Sequence, residues 1–287
     1  MLKVGIIGLG NIGKGVAISL AKAGMLAACY DVRANAAEDL EGIVKMSSSA
    51  SDVAKICDVV VLAMFDAMQA HEVIEGKKGL IVAKNSSLVI VLLSTVSITE
   101  LFKLDSIVAC EGIQLVDCGV TTGGKASSPG QLVSMVGGDE SAVDYVTPAL
   151  EAFSRKVVYM GPLGSGMSAK IAKNLIVYSV WRAEYEGFML AKAAGVKSSK
   201  LIEIIRESES SGDSLCFWAK RSPENSQEFV EDSFREYCAD VLEKDIDAAC
   251  ELADKFHLDL QAGKLARATK NVIVGLEDEP EISSQSV

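Results

Sequence analysis

Histidine is nearly missing from this chain, with two in 287 residues, and neither joins the seven cysteines in a ligand-like cluster. The cysteines, at positions 29, 57, 110, 118, 216, 238 and 250, include no C-x-x-C pair. Structural zinc is therefore excluded, no metal site is expected, and free thiols in a reducing compartment are the reading. No apolar run approaches the ~20 residues of a membrane span. An apolar strand stands where an N-terminal signal peptide would lie, so a cytoplasmic location without a membrane partner is expected. Basic residues are the scarcer charge, 28 against 39 acidic ones, for a net −11. A nucleic-acid partner needs clustered Lys and Arg to displace phosphate counterions, and this balance excludes one. The acidic surface reads as a solubility feature, and no internal repeat is visible.

What is present is ample apolar material, 49% of residues, in a chain long enough for about two domains. The apolar segment Leu2 to Ile7 runs straight into Gly8-Leu9-Gly10-Asn11-Ile12-Gly13. In a G-x-G-x-x-G turn, Gly8 permits the tight bend, Gly10 lets backbone approach a pyrophosphate, and Gly13 lets the next helix pack close. A helix opening near Asn11 would point free N–H groups and its positive dipole end at phosphates. A second apolar stretch, Met25 to Tyr30, ends on Asp31, eighteen residues past Gly13. There a carboxylate can accept hydrogen bonds from the adenosine ribose hydroxyls. The strand, turn, helix, strand and acid in this order predict a bound dinucleotide.

Strands and helices alternate through the first half. A helix is expected over Ser49–Ile56, a strand over Asp58–Met64, a helix from about Asp66 and a strand over Ser87–Leu93. Further strands are expected at Gln114–Asp117, Leu132–Val136 and Val157–Met160. Continuous rather than alternating β-branched runs indicate strands covered on both faces, as in a parallel sheet. Past Gly161-Pro162 the pattern becomes helical only, with apolar spacing at Ile171, Leu175 and Tyr178 and again at Val241, Ile246 and Leu252. The expected architecture is α/β: an N-terminal Rossmann NAD(P)-binding domain over 1–162, then an all-α domain for substrate and oligomerisation over 163–287. The last ten residues read as a loose polar tail.

Two later segments carry candidate chemistry. Lys170 and Asn174 are four apart on the helix that follows Gly161, so they project from one face. A lysine there could exchange a proton with a substrate hydroxyl and an amide one turn on could orient it, although a solvated lysine with a polar neighbour has the same spacing. Asp117-Cys118-Gly119-Val120-Thr121-Thr122-Gly123-Gly124 follows a predicted strand. Its hydroxyls and glycine N–H groups suit a bound carboxylate at a strand's carboxyl end, and equally an ordinary glycine-rich turn.

Together these segments resemble the β-hydroxyacid dehydrogenase family, which includes 3-hydroxyisobutyrate dehydrogenase and tartronate semialdehyde reductase. The resemblance rests on the glycine turn, the strand end Ser94-Thr95-Val96, and the 117–123 segment. It continues through Gly164-Ser-Gly166…Lys170…Asn174 and Lys244-Asp245, all in order. It implies NAD, or NADP, as cofactor and an enzyme interconverting a small hydroxy acid and its semialdehyde or ketone by hydride transfer. Lys170 would be the acid/base, Asn174 would orient substrate, and Thr121, Thr122 and Gly123 would anchor its carboxylate. Thr95 and Lys244 would lie beside the nicotinamide ribose and ring, and Met64 at the nucleotide edge. An imine reductase shares this two-domain shell but typically lacks the lysine. A non-catalytic nucleotide-binding module would have no use for Lys170, Asn174 and the threonines together. A decarboxylating 6-phosphogluconate-type enzyme shares the first domain, but its helical domain is larger than the residues after Gly161 allow.

The chain departs from the family pattern in places. Gly119 stands where proline is usual and is expected to loosen the loop, Thr121 replaces serine, and Thr122 replaces the first glycine. Met64-Phe65 replaces the usual Leu-Pro. Asp31 favours NAD over NADP, while Arg33, two residues on, could reach a 2′-phosphate. The resemblance also implies a homodimer or homotetramer built through the helical domain. Light scattering at micromolar protein should therefore report a multiple of the 30.4 kDa chain mass, and a species of chain mass alone would reject the assembly.

Overall fold

The computed structural model describes residues 2–40, 42–121, 130–208, 232–254 and 257–277. The chain forms two compact units, Met1–Lys173 and Asn174–Val287. The first is a seven-stranded sheet in the order β2-β1-β3-β4-β5-β6-β7. Its strands are β1 (Val4–Ile7), β2 (Leu26–Tyr30), β3 (Val59–Leu62), β4 (Val89–Leu92), β5 (Gln114–Thr121), β6 (Leu132–Gly137) and β7 (Ser154–Gly161). The helices between them are α1 (Asn11–Lys22), α2 (Ala50–Ala54), α3 (Ala67–Glu75), α4 (Ile98–Ala109) and α5 (Glu140–Phe153). Helix starts are locally encoded. The side chains of Ser49, Asp66 and Ser97 accept the N–H groups of Asp52, Gln69 and Glu100 at the first turns of α2, α3 and α4.

The continuous apolar strands are explained by two cores, one on each face of the sheet. Ile6, Val59, Val61, Val91 and Val116 join residues of α1 and α5 in one cluster. Ile7, Val60, Leu62, Ile90 and Leu92 join α2, α3 and α4 in the other. Successive side chains alternate faces, and both faces are buried, so polar alternation has no place in these strands.

Two expectations need correction. The sheet is mixed, because β5 and β6 run antiparallel while the other pairs are parallel. The expected loop from Asp117 is also strand as far as Thr121, since Asp117 to Thr121 pair with Gly137 to Val133 of β6. Gly119 therefore loosens nothing. It sits in the ladder opposite Met135, and a Cβ there would lie 2.4 Å from the Lys170 Cβ.

Helices are the regular structure of the second unit's described residues. Helix α6 (Ser165–Ala193) enters it from the first unit and is followed by α7 (Ser198–Ser208), then Asp232–Asp254, Gln261–Ala268 and Lys270–Val274. The buried carboxylate of Glu186 accepts the N–H groups of Ala262 and Gly263 at the start of the Gln261 helix. Among the described residues no helix is long and apolar enough to cross a membrane.

Packing is tight at the glycine turn. Gly8 has φ +92°, a backbone region that L side chains rarely adopt, and a Cβ on Gly13 would lie 1.8 Å from the Gly8 carbonyl oxygen. Gly13→Ala should force main chain apart and destabilise the first unit by about 1–3 kcal/mol, with weakened dinucleotide binding. Thermal melting with a fluorescence titration of cofactor checks this, and unchanged curves would show that α1 can retreat freely.

Candidate active site

Parallel pairing places the carboxyl ends of β1, β2, β3 and β4 along one edge of the sheet. Ile7 is paired with Tyr30 on one side and Leu62 on the other, and Leu62 with Leu92. The residues that follow these positions open onto one cleft of about 840 Å³, and every residue lining it belongs to the first unit. Gly8, Gly10, Asn11 and Ile12 line it from the glycine turn, and Asp31, Val32 and Arg33 from the end of β2. Met64 and Phe65 follow β3, Ser94 and Thr95 follow β4, and Val120, Thr121 and Lys170 complete it. Two expected cofactor residues lie behind the lining. Leu9 is buried and its N–H donates to Asp31 at 2.8 Å, while Gly13 packs against Gly8.

The glycine turn has room for a pyrophosphate. A Cβ on Gly10 would meet no protein atom within 4 Å, so the space before the first turn of α1 is open. Free N–H groups at that helix start favour an anion. A dinucleotide laid from this turn toward Asp31 fits the residues present.

Asp31 is more heavily engaged than its sequence position indicates. One oxygen accepts the Arg33 backbone N–H at 2.9 Å and Nε at 3.0 Å; the other accepts Leu9 N–H at 2.8 Å and Arg33 Nη2 at 2.9 Å. Burial pushes the carboxyl pKa up, but the Arg33 hydrogen bonds and the Leu9 N–H outweigh it and hold the group at about 2. The Arg33 side chain is 58% exposed, so the fork can swing away at little cost. Ser94, named in the sequence only as part of a strand-end segment, is buried and its Oγ accepts the Met64 N–H at 2.8 Å, tying the β3 and β4 turns together. Phe65 is 88% exposed on the cleft lip.

Lys170 projects from the second turn of α6 and donates from Nζ to the Val120 carbonyl at 2.6 Å. Burial lowers its pKa from the ordinary amine value, and the Lys173 charge lowers it further. The helix start is pinned by Asp117, a fully buried carboxylate that sequence reasoning matched to a motif without giving it a task. Its oxygens accept the N–H of Gly164 at 2.7 Å and of Met167 at 2.5 Å. Burial pushes the Asp117 pKa up, opposed by these backbone hydrogen bonds.

Asn174 is one turn beyond Lys170 on α6 but belongs to the second compact unit. Lys244 lies on the Asp232–Asp254 helix of that unit. Thr121 ends β5 and lines the cleft, whereas Thr122 and Gly123 fall outside the described residues. Among the described residues no group of His, Cys, Asp and Glu could hold a metal ion.

Residues 3–161 match the family model described as the NAD binding domain of 6-phosphogluconate dehydrogenase. Residues 164–278 match that of the NAD-binding region of NADP-dependent 3-hydroxyisobutyrate dehydrogenase. The 2-(hydroxymethyl)glutarate dehydrogenase of Eubacterium barkeri is 31% identical over 220 residues, covering 76% of this chain and 72% of that protein. A crystal structure of a candidate oxidoreductase from Mycobacterium avium 104 is 25% identical with a TM-score of 0.83, covering 97% of this chain and all of that one. An imine reductase from Myxococcus stipitatus has a TM-score of 0.79 over 96% of this chain and 94% of its own at 12% identity, a likeness of fold.

The Asp31 environment generates a cofactor prediction. A 2′-phosphate about 4 Å from this carboxylate meets roughly 4 kcal/mol of repulsion at an effective dielectric near 20, and the Arg33 guanidinium offsets part of it. NAD should therefore be preferred over NADP, and Arg33→Ala should widen the gap in kcat/KM by about tenfold or more, since 1.4 kcal/mol is a factor of ten. Equal kcat/KM with both cofactors in the unaltered protein would show that Arg33 cancels Asp31.

Proposed function

The chain belongs to the β-hydroxyacid dehydrogenase family, and on that premise we propose that Lys170 is the acid/base of its reaction. The protein is an NAD(P)-dependent oxidoreductase acting on the CH–OH group of small hydroxy acids. What supports the lysine's role is one observation: Lys170 lines the same cleft as the glycine turn, with its Nζ held by the Val120 carbonyl. When bound, the nicotinamide supplies the hydride acceptor for oxidation and the donor for reduction.

The rest is done by the chain. Val120 accepts one N–H of Nζ, and an ammonium has two further hydrogens with which to serve a hydroxyl or carbonyl oxygen in the cleft. In oxidation neutral Lys170 takes the hydroxyl proton, and in reduction the ammonium returns it. An amine has an ordinary pKa near 10.4, so burial and the Lys173 charge enlarge the neutral fraction at physiological pH. Thr121, Thr122 and Gly123 are proposed to anchor the substrate carboxylate, with Asn174 orienting the substrate. Thr95 and Lys244 are assigned to the nicotinamide end, Met64 to the nucleotide edge, and residues 1–162 and 163–287 to the cofactor and substrate domains. A homodimer or homotetramer in the cytoplasm completes the proposal. The imine reductase likeness is one of fold, and Lys170 argues against that chemistry.

Two substitutions test the lysine. Lys170→Ala should lower kcat by roughly 10²–10⁴ with cofactor Kd nearly unchanged, because proton transfer is lost while the glycine turn is intact. Lys173→Ala should keep the plateau kcat but displace the pH profile of oxidation upward, since removing that charge raises the Lys170 pKa. Activity near the unaltered level in Lys170→Ala would remove the mechanism.

A further inference from the structure

We propose that Asp117 is a positioning residue that registers Lys170 in the cleft by clamping the first turn of α6 to strand β5. This rests on the reading of Lys170 above, although the clamp itself is a property of the geometry.

Three ties cross between the strand and the helix in step. The Asp117 carboxylate takes the N–H groups of Gly164 and Met167, and three residues along the strand the Val120 carbonyl takes Lys170 Nζ, three residues along the helix. Between them Gly119 leaves room for the Lys170 stem, where a Cβ would meet the Lys170 Cβ at 2.4 Å. The backbones themselves are in contact. A Cβ on Gly166 would lie 2.5 Å from the Met135 carbonyl oxygen, and one on Gly137 would lie 2.5 Å from Asp117 Oδ1. Helix α6 can therefore approach β5 and β6 only in this register, with the carboxylate as its stop.

A buried carboxylate is an unusual choice for this task. Asp117 is completely shielded, and removing an ionised group from water is unfavourable unless hydrogen bonds replace the lost solvation. Two N–H groups at the start of a long helix do so, with the positive end of the helix dipole behind them. A carboxylate accepts at both oxygens and donates nothing, so it can hold two N–H groups at once. An amide cannot, because its NH2 would confront one of the two donors. Small displacements of a proton-transfer group are amplified in rate: about 1 Å of misplacement can lose 10²-fold.

The test is Asp117→Asn, with Gly119→Ala as a second variant that perturbs the same contact from the strand side. Two quantities are measured on the full chain. One is kcat, with cofactor Kd. The other is the pH midpoint for labelling of Lys170 by an amine-reactive reagent, read by peptide mass spectrometry in the absence of substrate. Asp117→Asn should lose roughly 10- to 100-fold in kcat, keep cofactor Kd, and move the labelling midpoint up toward the ordinary amine value as Lys170 becomes more hydrated. Gly119→Ala should move the midpoint in the same direction, and it carries the test if Asp117→Asn does not fold. Lost activity with an unmoved midpoint in both variants would reduce Asp117 to a purely structural role and overturn the proposal, as would unaltered kcat and midpoint. A moved midpoint in Asp117→Asn alongside an active Lys170→Ala would instead retain the clamp and reject the acid/base reading.

Discussion

The constraint on which the site depends is the parallel register of four strands. Hydrogen bonds between β1, β2, β3 and β4 hold Ile7, Tyr30, Leu62 and Leu92 side by side. Whatever follows these positions must emerge at one edge of the sheet. The glycine turn, Asp31, Met64 and Thr95 are far apart in the chain, yet each follows a strand end within a few residues. A slip of one residue in any pairing would exchange the faces of that strand and send its apolar side chains to the wrong core. Because both cores are buried and apolar, such a slip is heavily penalised. The rigidity of the cleft is thus inherited from the burial of Val, Ile and Leu on two faces.

Charge is used sparingly but in contrasting ways within this frame. Asp31 sits at the cleft with four donors on its two oxygens, and its carboxyl is held far down the acid range. Asp117 is sealed from solvent, and its pKa goes the other way because burial dominates. The first carboxylate is paired with an exposed arginine at the cleft; the second is held by the backbone N–H groups of Gly164 and Met167. Lys170 lies between these extremes, half-buried, with its proton affinity lowered by the same loss of hydration. Loss of hydration is the largest cause in both, raising the Asp117 pKa and lowering that of Lys170, as it must for an acid and a base.

Much of this was legible from residue order. The glycine turn, Asp31 and the apolar runs of β1, β3 and β4 report local requirements, namely a tight bend, an acid after a strand, and strands buried on both faces. Lys170 was legible as a candidate because helix spacing and its place after Gly164 and Gly166 are also local. The antiparallel pairing of β5 was not, since nothing within Gln114–Thr121 states the direction of its neighbour. Gly119 was misread for the same reason. As a loop residue it would add freedom, but as a strand residue under a helix it supplies clearance for the Lys170 stem.

The sequence by itself determined the α/β class, the dinucleotide turn and the family, and offered Lys170 as a candidate, because each is written in residues close together or in fixed order. Only the tertiary structure decided what holds that lysine and what surrounds Asp31. The bonds from Gly164 and Met167 to Asp117 and from Lys170 to Val120 span 47 to 50 positions. The Ser94 tie to Met64 spans 30 and the Leu9 tie to Asp31 spans 22. Such contacts carry no local periodicity. They exist because sheet register and helix approach bring a donor and an acceptor together after the backbone has already taken its course.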